Sequence, residues 1–319
     1  MIQRLAPFFI FFYGLMFAAD RPTVIVLTGA PGSEEYGRLF SKWTEQWKEA
    51  AAKGSADFHH IDKPEEGTTK KAAQKLIAAQ AGEAKSPLWI VLIGHGTFDG
   101  KKAKFNLQGP DLEAGELAKW LKDSQRPTAI INCTASSAPF LPALSRKGRV
   151  VITATRNGFE QNFSHFGGYL AATIGKLEAD FDKDGQTSLL EAWLAAARHT
   201  ADFYKNESRL ATEHTILDDN GDSKGTPSDW YRGLRVAKKS DDAALLPDGL
   251  RAHQFHLIPS KEERALTPTQ RTERDRLEIE YAQLRALKDD LEGKKYYQRL
   301  EQILRKLGHI YFREEKIEE

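Results

Sequence analysis

Strand-length apolar runs recur along this chain with helical patterns between them, and that alternation most constrains its fold. "TVIVLTG" (23–29), "PLWIVLIG" (87–94), "PTAIIN" (127–132) and "GRVVITA" (148–154) are apolar nearly throughout, not at every second residue. Strands of this kind are buried on both faces. "EYGRLFSKWTEQWKEAAAK" places Leu39, Phe40, Trp43 and Trp47 at helical spacing, and "ADFHHID" reads as a second strand. "TTKKAAQKLIAAQAG" is a helix stopped by Gly82, and "LEAGELAKWLKDS", "FGGYLAATIGKLEA" and "SLLEAWLAAARHTADFYK" read as further helices. Repeated β-α units of this type predict an α/β fold, a mostly parallel sheet with helices on both faces. Ligands of such sheets sit beyond the carboxyl ends of the strands, so the strand ends are where chemistry is expected.

The first residues are expected to lie outside that fold. Arg4 precedes a nearly continuous apolar run from Leu5 to Ala19, the shape of a secretory signal. The run is shorter than the roughly 20 residues of a spanning helix. Cleavage after Ala19 would put Phe17 where a small residue is preferred, so an uncleaved anchor stays open. Either way the chain is read as exported, periplasmic or extracellular, or tethered to a membrane by residues 1–19. The sheet domain then covers 20–259. The formal net charge of +1 gives no reason to expect nucleic acid.

Two strand ends carry reactive residue types. One ends in Gly94-His95-Gly96. The next ends in Asn132-Cys133, and Cys133 is the only cysteine. Consecutive strands are usually neighbours, which would bring His95 and Cys133 to one edge. A cysteine nucleophile needs a base in reach and is reactive as the thiolate. The glycines beside His95 would leave amides near the site for a developing oxyanion. A lone Cys at a strand end also reads as a small buried hydrophobe.

Strand-Gly-His-Gly, then strand-Asn-Cys, then a strand with "ITATRNGFEQNF" resembles the caspase-like cysteine peptidases, nearest the legumain (asparaginyl endopeptidase) branch. The likeness runs from about Thr23 to Tyr204. It implies a caspase-like sheet, a Cys133–His95 dyad, the amides of Gly96 and Cys133 as oxyanion hole, and cleavage of peptide or protein substrates through an acyl-enzyme. Arg156, Asn157 and Glu160 would then line the substrate loop. The pattern departs from legumains at Ile131, where they carry an acid, and at Thr134-Ala135-Ser136-Ser137, where they carry Ser-Gly. The alternative is a catalytically inactive protein of the same fold, acting as a calcium-binding scaffold or a partner-binding protein.

A second motif is "DFDKDGQTSLLE", 180–191. Asp180, Asp182 and Asp184 fall at positions 1, 3 and 5 of a calcium loop, with Gly185 at 6, the Gln186 carbonyl at 7 and Glu191 at 12. This EF-hand-like spacing converges hard oxygens on one point and implies a structural Ca²⁺. An acidic loop without metal is the plain alternative. "LDDNGDSKGTP" gathers Asp218, Asp219, Asn220 and Asp222, as an Asx-turn cluster or a half-formed metal loop.

Residues 260–319 are dense in charge. Leu277, Leu284, Leu287 and Leu291, then Leu300, Ile303, Leu307 and Ile310, stand near heptad spacing on either side of Gly293. They read as an α-helical hairpin, folded on itself or offering a coiled-coil surface to a partner or a second copy. "AHQFHLIPS" before it reads as an edge strand. The Lys-Ser/Thr of a phosphate loop, a G-x-G-x-x-G, a G-x-S-x-G elbow and an H-E-x-x-H are all missing from the sequence, and no organic cofactor is expected.

Overall fold

A computed structural model describes residues 21–63, 67–82, 84–237 and 246–312. The apolar segment read as signal or anchor lies outside the described residues, as do residues 313–319 of the tail. In chain order the sheet domain runs β1 (Thr23–Thr28), α1 (Glu34–Lys53), β2 (Asp57–Ile61), α2 (Thr69–Gln80), β3 (Leu88–Ile93), β4 (Gly96–Phe98), β5 (Ala103–Phe105), β6 (Leu112–Glu113), α3 (Ala114–Trp120), β7 (Thr128–Asn132), α4 (Phe140–Leu144) and β8 (Arg149–Thr153). It continues with α5 (Phe166–Thr173), α6 (Leu189–Asn206), β9 (Ile216–Asp218), β10 (Thr226–Pro227), β11 (Tyr231–Arg232), β12 (Arg235–Val236) and α7 (Leu250–Gln254). The tail holds α8 (Lys261–Ala265), α9 (Pro268–Ala286) and α10 (Gly293–Tyr311).

Among the described residues the main sheet is ordered β10-β9-β8-β7-β3-β1-β2. The five strands from β8 to β2 are parallel, and β9 and β10 close one edge antiparallel. Side chains alternate between faces along each strand, and the two cores follow that alternation. Val24, Trp89, Val91, Ala129, Ile131 and Ile152 join Phe40, Trp43 and Trp47 of α1, Phe166 and Leu170 of α5 and Trp193 of α6. Ile25, Leu27, Ile90 and Ile130 face the other way, onto Ile77 of α2, Leu117 of α3 and Phe140 of α4. Each fully buried Leu, Ile or Phe contributes about 1.5–3 kcal/mol over leaving it exposed, so both sheet faces are strongly held.

Local sequence sets the helix ends. Ser33 caps α1 by accepting from the Tyr36 amide, with Glu34 and Glu35 in the first turn where the helix dipole favours acids. Ser188 and Glu191 form a reciprocal capping box at the start of α6.

The tail hairpin has its own core. Leu277 and Leu284 of α9 pack on Tyr296, Ile303 and Ile310 of α10, with Leu266 beneath. Leu287, expected in the seam, is 43% exposed because it sits in the turn between the helices. Arg274 anchors the hairpin to the preceding helix through Glu263, at 2.6 and 3.2 Å. Three further differences from the sequence expectation stand out. The segment read as an edge strand before the tail instead opens on the end of a helix, α7, and continues in irregular backbone where His256 makes a single bridge to Ser188. The α7 amides at Gly249 and Ala252 donate to the Asp219 carboxylate, a cap supplied from far along the chain. The helix read over "FGGYLAATIGKLEA" ends at Thr173, leaving only a short 3₁₀ turn at Leu177–Ala179 before the acidic loop, so this is not a full helix-loop-helix. And β4, β5 and β6 form a small antiparallel sheet that no periodicity announced.

Candidate functional site

The strand ends that carry His95 and Cys133 are neighbours. Leu92 of β3 stands opposite Asn132 of β7, and Asn132 opposite Thr153 of β8. Both side chains lie toward the layer under α1, His95 against Phe40 and Cys133 in the core that Phe40 joins. Cys133 continues the phase of Ala129 and Ile131 into the core beneath α1 and α5 and is 1% exposed. A Cβ built on Gly167 would fall 2.5 Å from the Cys133 Cβ and 3.1 Å from its Sγ, so α5 rests directly on the thiol. Burial, and secondarily the Glu213 carboxylate, push the thiol well above its ordinary range, which keeps it protonated. Its amide donates to the Leu92 carbonyl at 3.0 Å and is spent in the β3–β7 ladder. It is not free for an oxyanion.

The His95 Nε2 donates to the Pro31 carbonyl at 3.0 Å. Its ring packs among Tyr36, Phe40 and Phe163 at centroid distances of 4.7, 5.4 and 5.9 Å. Among the described residues no hydrogen bond joins the Cys133 thiol to the His95 ring, and the thiol is buried. The sulfur lies inward under α5, and the imidazole is held from the first βα loop.

The residue that meets the turn after His95 is Thr134, which the sequence reading passed over. A Cβ on Gly96 would fall 2.5 Å from Thr134 Oγ1 and would overlap the Ala135 carbonyl, so only glycine fits there. The Thr134 hydroxyl donates to Asn132 Oδ1 at 2.8 Å. From Asn132 to Ala138 each residue is no more than 8% exposed. What covers them is the loop between β8 and α5. The Ser136 amide donates to the Glu160 carbonyl at 2.8 Å. The Glu160 carboxylate takes the amides of Arg156 and His214 and pairs with His214 Nδ1 at 2.6 Å and Arg156 Nε at 3.2 Å. Asn157 Oδ1 accepts from the Phe159 amide, and the Phe159 ring stands edge-on to Phe98 at 5.4 Å. Glu160 and Asn157, expected to read substrate, also fasten this loop down, while Arg156 and Asn157 are exposed. The closure strains the chain beneath it. Ser136 is held at φ +53°, and its Oγ and Asn132 Nδ2 are buried without a hydrogen-bond partner.

The acidic loop holds its carboxylates together. Ligand oxygens of Asp180, Asp182 and Asp184 lie within 4.8 Å of one another, and Asp182 also groups with Glu191 and His253. Asp180 accepts from the amides of Asp184 and Gly185, and Gly185 turns the chain at φ +85°. Burial and the neighbouring carboxylates raise the Asp184 pKa. An all-oxygen donor set of this kind fits a hard cation such as Ca²⁺. Glu191 has a competing task, since its two oxygens accept from the amides of Phe181 and Ser188 and from the Ser188 hydroxyl. His253 Nε2 pairs with Asp182 at 3.0 Å, and the Gln186 side chain accepts from the Ser260 amide, so the loop is also fastened to the segment leading into the tail. The carboxylates of Asp218, Asp219 and Asp248 are taken up by backbone amides, as turn and cap acceptors.

No protein-family model and no curated protein matches this chain. Among solved structures it is similar to the Drosophila initiator caspase Dronc, with 13% identity, 65% of this chain and 82% of that one covered, and a TM-score of 0.43. It is also similar to caspase-1 from Spodoptera frugiperda, with 9% identity, coverage of 63% and 86%, and a TM-score of 0.42.

Proposed function

We propose that this chain is an exported peptide- or protein-binding domain on a cysteine-peptidase-like scaffold, in which Cys133 does no chemistry. The observation that carries this reading is the direction of the Cys133 side chain, into the apolar layer under α5 with its amide already bonded. A nucleophile must reach both substrate and base, and here the thiol is buried and makes no hydrogen bond to His95 among the described residues. The rival reading, peptide-bond hydrolysis by Cys133 and His95 through an acyl-enzyme, requires the sulfur to leave that layer and the 155–160 loop to lift. A thiol-directed peptidyl probe and a peptide library separate the two. The binding reading expects no labelling of the native protein and no turnover lost in Cys133→Ala. Labelling at Cys133, or cleavage abolished by that substitution, would overturn it.

The acidic loop is the second part of the proposal. Asp180, Asp182, Asp184, the Gln186 carbonyl and Glu191 would hold a Ca²⁺ ion, which supplies structural cohesion where the loop meets the segment leading to the tail. Calorimetry with Ca²⁺ against Asp182→Ala tests it, and equal heats would remove it. Export rests on the composition of residues 1–19, and a fractionation assay of the full chain decides it. The hairpin is the surface proposed for a partner or a second copy, with Tyr297 and Leu304 of α10 turned outward.

A further inference from the structure

A cavity of about 360 Å³ opens between the start of α1, the loop between β8 and α5, and the end of α6. Its wall is a run of rings. Tyr36 and Phe163 lie 4.6 Å apart, Phe163 meets His165 edge-on at 5.2 Å, and His165 meets Tyr204 edge-on at 6.2 Å. That size, with rings and polar groups sharing the wall, suits one amino-acid-sized group.

The wall is fixed from behind. Glu213 is 3% exposed, and its carboxylate accepts from the Ser164 hydroxyl at 2.6 Å, the His165 amide at 2.8 Å, the Phe166 amide at 3.1 Å and the Tyr204 hydroxyl at 3.1 Å. One buried acid thus ties together the loop, the start of α5 and the end of α6. Burying a carboxylate costs several kcal/mol unless it is fully hydrogen-bonded. The result is a cavity whose shape is set before anything enters it.

Two charges stand at the mouth, Glu35 and Arg209. Glu35 has a local explanation in the first turn of α1. Arg209 has none. It is exposed, makes no ion pair among the described residues, and lies close enough to act electrostatically on both His165 and Tyr204. A planar guanidinium beside an aromatic wall suits a carboxylate attached to a ring. Burial lowers the His165 pKa, so its imidazole is neutral near pH 7 and offers one donor and one acceptor. Its ring nitrogens make no hydrogen bond among the described residues, which leaves them for an amide.

From these features we infer that the cavity binds the carboxyl-terminal aromatic residue of a peptide, the ring against Phe163 and Tyr204 and the terminal carboxylate on Arg209. This rests on the binding reading above and gives that reading a ligand class. The rings of Tyr36 and Phe163 also contact His95, so occupancy is expected to disturb the His95 resonances.

The test titrates the full chain with N-acetyl-phenylalanine, N-acetyl-phenylalaninamide and N-acetyl-alanine, followed by calorimetry and histidine NMR. Saturable binding of the free acid is expected, with weaker binding of the other two, and Arg209→Gln is expected to weaken the free acid about tenfold while leaving the amide unchanged. Arg209 is exposed, so the variant is expected to fold, and circular dichroism checks it. No saturable binding of the free acid, or equal binding by wild type and Arg209→Gln, overturns the inference. Its failure is separable from failure of the binding reading, because Cys133-dependent cleavage would remove that reading whether or not these probes bind.

Discussion

Gly167 lies against Cys133 so closely that a methyl group on it would fall 2.5 Å from the Cys133 Cβ and 3.2 Å from the Trp43 ring. Gly167→Ala should therefore destabilise. Overpacking of this kind costs about 1–3 kcal/mol, set against a helix-propensity gain of at most about 1 kcal/mol. A urea midpoint that rises in the variant would mean that the thiol does not sit under α5.

Substitution of Cys133 itself discriminates between edge and core. A hydroxyl in this apolar layer has no partner, and an unsatisfied buried hydroxyl costs about 1–3 kcal/mol. Cys133→Ser should be less stable than Cys133→Ala, although Ser is the closer isostere. The reverse order, measured by chemical denaturation, would place the side chain at the solvent edge.

Asp219 and Asp248 lie side by side, since the Asp219 amide donates to Asp248 Oδ1, and both are 4% exposed. Burial first, then nearby carboxylates, push Asp219 up to about 6 and Asp248 up to about 8. An unfolded Asp titrates near about 3.9, so between these values the folded chain holds more protons than the unfolded one. The stability this brings is complete below about pH 4 and is lost as the pH rises through about 8. His256, buried and lowered to about 3, works in the opposite direction below its unfolded value of about 6.5, and above about pH 8 the buried Cys133 thiol adds to the slope, so the clean window is about pH 7 to 8. Unfolding free energy should fall across it, by at most about 1.4 kcal/mol per pH unit for one proton. Asp248→Asn should flatten the slope, and a slope unchanged in that variant would contradict the arrangement.

Arg274 is 5% exposed and paired with Glu263 and Asp275. Arg274→Met leaves those acids without their main partner, a loss of about 3–5 kcal/mol when nothing compensates. Arg271 still reaches Glu263 at 3.3 Å and should soften it. The expected signature is rapid proteolysis within the hairpin while the sheet domain persists. Uniform resistance would show that the hairpin core holds without this anchor.

Chelation should matter at the acidic loop. If Asp180, Asp182 and Asp184 hold Ca²⁺, a chelator lowers the melting temperature of the wild type. It should leave the melting temperature of Asp180→Asn/Asp182→Asn unchanged. Equal shifts in both would place any bound ion elsewhere.

The parallel sheet was legible because doubly buried strands write themselves as continuous apolar runs. Cys133 was legible too, for Ala129, Ile131 and Cys133 share one phase of the period of two. The strand does end at Asn132, and Cys133 keeps its phase one residue beyond. What could not be read locally is held by long-range contacts. Glu160 meets His214 across 54 residues, and Asp219 caps a helix that begins some thirty residues later. The strands β4 to β6 are two or three residues long, too short for any period to show.

The sealed thiol also makes the chain its own clock. In the folded protein the single thiol is shielded and protonated, while in the unfolded chain it reacts like any free cysteine. The rate at which a maleimide or a disulfide reagent consumes it therefore counts openings of the layer between α1, α5 and the sheet. Under native conditions, with no denaturant and no introduced dye, that rate reports the free energy of the easiest opening that exposes Cys133.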